Sequence, residues 1–210
     1  MPSDTEPLSF DLYHPQPLLL IISGTSAAGK DAVLGALKGR DLPLYFVVTC
    51  TTRAPRDKEQ EGVDYFFVSK EKFEQMIAKN ELLEYSLVYQ DYKGVPKSQI
   101  RQAMQSGKDV VLRVDVQGAQ KIKKICNDAV LIFILPPNAE NWLERFKTRN
   151  SETAESLKVR IDTARNEVAS IGQFDYIVVN QQGQLDRTVD TIEAIINAEH
   201  HQVHHKKVNL

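Results

Sequence analysis

The stretch Leu18-Leu-Leu-Ile-Ile-Ser-Gly24-Thr-Ser-Ala-Ala-Gly29-Lys30-Asp31 decides the fold. Its apolar run, Leu18–Ile22, has the length of a buried strand, and it feeds directly into a glycine-bounded loop and then a helical pattern over Lys30–Lys38. Strand, glycine loop and helix start in that order are what a phosphate-binding loop requires. Gly24 and Gly29 let the backbone of Thr25, Ser26, Ala27 and Ala28 turn its N–H groups inward. The helix start adds partial positive charge, and Lys30 can reach terminal phosphates. A plain glycine turn with an incidental lysine is the competing reading, and the flanking strand and helix argue against it. Asp31 stands where such loops carry the Ser or Thr that touches Mg²⁺. A carboxylate is itself a hard oxygen ligand, which makes Asp31 the candidate metal residue.

Outward from this loop, strand-length apolar runs alternate with amphipathic helical stretches, the pattern of an α/β fold with a parallel sheet. Strands are predicted at Leu18–Ile22, Tyr45–Thr49, Asp109–Val114, Val130–Leu135 and Tyr176–Val179, giving five strands flanked by helices. The helices are predicted over Lys30–Lys38, Pro96–Ser106, Val116–Cys126, Ala139–Arg149 and Glu155–Ile171, with a last one from Leu185 into the His-rich tail. Two stretches break the alternation. Residues 51–95 turn polar and aromatic and read as an inserted subdomain, with strand candidates at Tyr65–Val68 and Leu83–Tyr85 around a Lys70–Lys79 helix. Residues 138–167 form a charged helical pair, read as a lid. The core is then about 15–50, 96–137 and 168–199, with a polar leader over 1–14 and a His-rich tail over 200–210.

The 210 residues, 42% hydrophobic and 26% charged, suit one globular domain. With 26 Lys+Arg against 28 Asp+Glu the net charge is -2, so nothing points to nucleic acid or an anionic membrane, and any anion site must be local. Two cysteines, Cys50 and Cys126, cannot make a disulfide framework, although one bridge is formally possible. They fit a reducing compartment. The apolar run at Leu18 is too short to span a bilayer, and the acidic, Pro-punctuated start does not read as a targeting segment, so the chain is read as cytoplasmic. Apart from His14, every histidine falls in the last eleven residues. This distribution argues against a His base or His metal ligands in the core. The pairs 200/204 and 201/205 lie one helical turn apart and can hold a metal, but a solvated tail is the favoured reading.

The loop, Thr49-Cys-Thr-Thr-Arg53-Ala-Pro-Arg56, Gly62-Val-Asp-Tyr65-Phe-Phe and Leu83-Glu84 together resemble the guanylate kinase family. The likeness continues through Asp115-Val-Gln-Gly-Ala119, the Arg-rich Trp142–Arg165 stretch and Phe174-Asp-Tyr-Ile-Val-Val-Asn180, covering Leu18 to the final helix. The resemblance implies a P-loop kinase core, an inserted monophosphate-binding subdomain, a helical lid, and transfer of the γ-phosphate of ATP to GMP or dGMP with Mg²⁺. It places the acceptor phosphate on Arg53, Arg56 and Tyr65, and guanine on Glu84 and Thr49, with Asp115 contacting the acceptor nucleoside. A carboxylate at Glu84 matches the adjacent N–H donors on guanine's Watson–Crick edge, which adenine cannot reproduce. It assigns Arg145, Arg149 and Arg160 to a lid over the triphosphate and Asn180 to the adenine side. Small-molecule nucleotides are the implied partners, for a monomer or homodimer.

The chain departs from the family pattern at four positions. Lys93-Gly94-Val95 stands for Tyr-Gly-Ser/Thr. Lys93 can replace the tyrosine hydroxyl as a phosphate donor, whereas Val95 loses a hydrogen bond to the guanine oxygen worth about 1 kcal/mol. Asp31 replaces a hydroxyl residue, and Arg113 replaces an Asp of the strand end that the family keeps near the metal. Asp31 and Arg113 are expected to face each other across the first and third core strands, as a salt bridge or as metal ligand and phosphate clamp, because a buried Arg needs a carboxylate. Rival readings are drift in an inactive relative, a binding module of the same fold, and a kinase with another phosphorylated acceptor.

Overall fold

The computed structural model describes residues 13–57, 59–88, 90–147, 154–204 and 208. The first half runs β1 (Leu19–Gly24), α1 (Lys30–Lys38), β2 (Leu44–Phe46), β3 (Thr49–Thr51), β4 (Tyr65–Phe67), α2 (Lys70–Ala78), β5 (Leu82–Val88), β6 (Asp91–Pro96) and α3 (Lys97–Gln105). The second half runs β7 (Asp109–Arg113), α4 (Val116–Ile125), β8 (Val130–Leu135), α5 (Ala139–Lys147), α6 (Ala154–Ala169), β9 (Tyr176–Val179) and α7 (Leu185–His200). Five strands form one parallel sheet in the order β2-β7-β1-β8-β9. Parallel strands buried on both faces carry no polar alternation, which is why β1 and β8 read as unbroken apolar runs.

The period-two alternation of β1 divides the core between the two faces of the sheet. Leu18, Leu20 and Ile22 pack with Val33 and Leu37 of α1 and Val189 and Ile192 of α7. Leu19 and Ile21 pack with Ile100 and Ala103 of α3 and Ala119 and Ile122 of α4. With helices on both faces, the loops that follow β1 and β7 emerge side by side at the carboxyl edge of the sheet, where ligands bind in open α/β folds.

A second sheet, β4-β3-β6-β5, is built from residues 49–96. The single strand expected over Tyr45–Thr49 is in fact two. Val47 still donates to Val111 on β7, but the chain then leaves the core, so β2 belongs to the parallel sheet and β3 to the second one. A continuous apolar and β-branched run gives no sign of such a transfer. β6 was not predicted, because its Gly94 and Pro96 mask the strand pattern, and Pro96 ends that strand instead of beginning α3.

The expected solvated tail is corrected at its first residue. His200 is the last residue of α7, with a side chain only 20% exposed and Nε2 2.8 Å from Asp109 Oδ2. The other oxygen of Asp109 accepts the Leu18 N–H at 2.9 Å, so one buried carboxylate ties the start of β1 and the end of α7 to the first residue of β7. The His201 ring lies tilted against Tyr13, their centres 5.1 Å apart, and His204 is exposed. Among the described residues no group of three His, Cys, Asp or Glu side chains can hold a metal. Asp109→Ala removes both contacts and is expected to lower the free energy of unfolding by about 2 kcal/mol, measured by urea denaturation. An unchanged midpoint and slope would remove this clasp from the account.

Candidate functional site

The loop between β1 and α1 is held in its shape by backbone conformation and close approach. Gly24, at φ +139°, lies so near β8 that a Cβ there would sit 2.1 Å from the Ile134 carbonyl oxygen. Gly29, at φ +89°, precedes the first turn of α1, and a Cβ there would meet Asn180 Nδ2 at 2.3 Å. Ala27 also takes a left-handed φ of 62°, an uncommon conformation for a residue with a Cβ. Lys30 Nζ donates to the carbonyls of Gly24 and Thr25 at 2.7 and 2.9 Å, which ties the ammonium to the loop. Burial lowers the Lys30 pKa to about 8, opposed by the Glu167 carboxylate and assisted by the positive charges of Arg113 and Lys93.

The loop's outer side is bound by the chain's second half. Arg145 donates to the carbonyls of Ala28 and Asn180 at 3.0 and 2.9 Å, Asn180 Nδ2 donates to Ala28 at 2.8 Å, and Trp142 Nε1 donates to Ser26 at 2.8 Å. A cleft of about 360 Å³ opens here between Gly29, Arg145, Asn180 and Leu185. Thus Arg145 and Asn180, expected on the donor side, stand beside the loop. Arg149 lies outside the described residues, as does the side chain of Arg160 on α6.

Glu167 escaped the sequence reading. Near the end of α6, its Oε2 accepts the Ser26 N–H of the loop at 3.2 Å, and burial raises its pKa despite the nearby Lys30. A lone Glu in a charged helical pair carries no pattern that would single it out.

At the end of β7, Arg113 reaches two ways. One guanidinium nitrogen donates to Asp31 on α1 and the other to the Tyr65 hydroxyl on β4, while the guanidinium carbon lies 5.1 Å from the centre of the Tyr65 ring. The expected pairing of Asp31 with Arg113 is therefore present, between the helix that follows β1 and the strand adjacent to β1. Arg53 lies over the same tyrosine ring at 5.0 Å and forks onto Glu59 at 2.6 and 2.7 Å. That fork holds the Glu59 carboxyl down at about 2. Glu59 was also missed by the sequence reading, because in a loop of mixed charge from Arg53 to Glu61 nothing singles it out. Arg56 is exposed, and its backbone N–H donates to Glu59 at 2.8 Å.

Glu84 on β5 is buried, and desolvation pushes its carboxyl up to about 7, against the pull of Lys121. Val95 faces it across the β5–β6 ladder and packs into the core with Ile100 and Ala103. Thr49 is buried on β3, paired in register with Tyr65. Lys93 lies on β6, its pKa lowered by burial. Asp115 has both oxygens engaged. Oδ1 caps α4 through the Gly118 N–H at 2.8 Å, and Oδ2 accepts the Ser86 hydroxyl at 2.9 Å. This capping role is one that the sequence reading had not given it.

Asp31→Asn and Arg113→Leu are expected each to lower the unfolding free energy, and the double variant to lose less than the sum of the two. The coupling is expected at about 1 kcal/mol, because the Asp31 side chain is 71% exposed. Additive losses in urea denaturation would contradict the pairing.

Comparison with known proteins gives a consistent result. A family model described as guanylate kinase matches residues 16–199. The chain is 48% identical over 197 residues to "Guanylate kinase 2, chloroplastic/mitochondrial" of Oryza sativa subsp. japonica, covering 93% of this chain and 69% of that protein. It is 40% identical over 192 residues to the guanylate kinase of Clostridioides difficile strain 630, covering 91% and 93%. The solved guanylate kinase of Anaplasma phagocytophilum superimposes with a TM-score of 0.74 at 28% identity, over 91% of this chain and 90% of that one.

Proposed function

The chain belongs to the guanylate kinase family, and from that membership we propose that it moves the γ-phosphate of ATP to GMP or dGMP, giving ADP and GDP or dGDP. The observation that carries the reading is the convergence of cations from both sheets. Lys30 of the loop feels Arg113 and Lys93, Lys93 feels Arg53 and Arg56, and Arg53 and Arg113 share the Tyr65 ring. Phosphoryl transfer needs positioning and charge stabilisation more than a proton-transfer base, so a cleft lined by no histidine among the described residues suits it.

In this reading the loop from Gly24 to Gly29 and Lys30 hold the ATP phosphates, and Asn180 lies on the adenine side. Arg53, Arg56, Tyr65 and Lys93 take the GMP phosphate, while Glu84 and Thr49 read guanine. Asp115 acts on the acceptor side indirectly, by fixing the start of α4 and Ser86. Arg113, anchored by Asp31 and Tyr65, stands between the two sites as the clamp on the phosphates. Arg145, Arg149 and Arg160 belong to the lid. Glu59 occupies the Arg53 fork and Glu167 a loop N–H, so an entering phosphate competes with carboxylates for the same donors.

The residues present fit a Mg²⁺ ion, for which Asp31 would be the protein ligand. Asp31 stands beside the loop, and its Oδ1 accepts from Arg113, which leaves the second oxygen as the hard donor such an ion needs. When bound, such an ion would supply neutralisation of phosphate charge during transfer.

Two buried free cysteines fit a reducing compartment such as the cytoplasm, and among the described residues no helix is long and apolar enough to cross a membrane. The nucleotides are the proposed partners, for a monomer or homodimer.

In a coupled assay of ADP formation with ATP, Mg²⁺ and a panel of monophosphates, GMP and dGMP are expected to turn over and AMP, CMP and UMP to give little. Lys30→Met is expected to lower kcat by at least about 100-fold. Tight GMP binding with no turnover of any acceptor would contradict the kinase reading.

A further inference from the structure

Lys121 takes no part in the roles given above, yet α4 aims it at Glu84. Gly118 and Lys121 are three residues apart and share a helix face. At Gly118 the absent side chain leaves room for the carboxylate, since a Cβ there would stand 2.7 Å from Glu84 Oε1. One turn on, Lys121 Nζ lies 3.5 Å from Glu84 Oε2, donates to the Tyr85 carbonyl and sits 5.7 Å from the centre of the Tyr85 ring. The carbonyl and the ring tether the ammonium independently of the carboxylate. One face of α4 thus gives Glu84 both a space and a counter-charge.

Guanine's N1–H and 2-amino group are adjacent donors, and only an ionised carboxylate accepts from both without offering a proton of its own. The Glu84 side chain is 3% exposed, so burial disfavours that ionised form. The charged groups acting on Glu84 are Lys121 and, with opposite effect, Asp115, both on the α4 side. Across the ladder β6 presents uncharged Val95 to Glu84, and its Lys93 stands opposite Ser86. We propose that Lys121 is a positioning residue for guanine selection, whose ammonium keeps the Glu84 carboxylate ionised and so sets the pH range over which GMP binds. The proposal rests on Glu84 as the guanine-reading residue. Because burial has raised the carboxyl to about 7, GMP affinity falls as pH drops through that value. Removing Lys121 raises the carboxyl further, so the loss of affinity moves toward higher pH.

The test measures GMP binding by calorimetry, with kcat and KM, on the full chain and on Lys121→Met and Lys121→Arg, from about pH 5.5 to about pH 9.5. Lys121→Met is expected to shift the midpoint up by about one pH unit, to weaken GMP about fivefold at pH 7, and to match the parent at the alkaline end. The effect falls on KM, with kcat at saturating GMP unchanged, and Lys121→Arg keeps the parent profile. Thermal melts of both variants at about pH 5.5, where the Glu84 carboxyl is protonated with or without Lys121, are expected to match the parent, since Lys121 is half exposed. A Lys121→Met profile that superimposes on the parent's, or is weaker by one constant factor at every pH, overturns the proposal while leaving the kinase reading intact. No GMP binding by the parent chain at any pH overturns both.

Discussion

The guanidinium of Arg113 joins the parts of the molecule that the site needs. It stands at the carboxyl end of β7, donates to Asp31 on the helix that leaves the phosphate loop, and donates to Tyr65 on the second sheet. The Arg113 side chain is partly buried, and the exposed Asp31 gives it an anionic partner at the cleft surface. The parallel pairing of β1 with β7, which puts Ile22 beside Arg113, makes that contact geometrically available. Loop helix, core strand and second sheet are thereby joined through one side chain.

The electrostatic design follows from the same arrangement. Net charge is nearly balanced, but the balance is local as well as global. Arg53 is forked by Glu59, Arg113 is paired with Asp31, and a loop N–H is taken by Glu167. Such pairing lets a dense cluster of cations coexist in a folded chain before phosphates arrive. Burial of Lys30 and Glu84 then tunes one cation downward and one carboxyl upward, each in the direction desolvation demands.

Much of this was legible in the sequence. The strand, glycine loop and helix of residues 18–38, the five-stranded parallel sheet and the facing of Asp31 and Arg113 follow from apolar runs, glycine spacing and charge compensation. What was not legible depends on contacts distant in sequence. The split of Tyr45–Thr49 between two sheets leaves no mark in a uniformly apolar run. β6 is disguised by its glycine and proline. Glu167 and Lys121 are ordinary surface-type charges until the fold sets them against the loop and against Glu84. His200 looked like tail because its partner, Asp109, is 91 residues away.

The central claim is that one cleft binds ATP on the loop and GMP on the second sheet with their phosphates in line across Arg113. The most direct measurement is calorimetric titration with adenosine and guanosine joined 5′ to 5′ by a chain of five phosphates. The account predicts one molecule bound per chain, at least about 100-fold more tightly than either ATP or GMP, because one ligand then meets both sites at once. Binding no tighter than the better single nucleotide, or two molecules per chain, would contradict it.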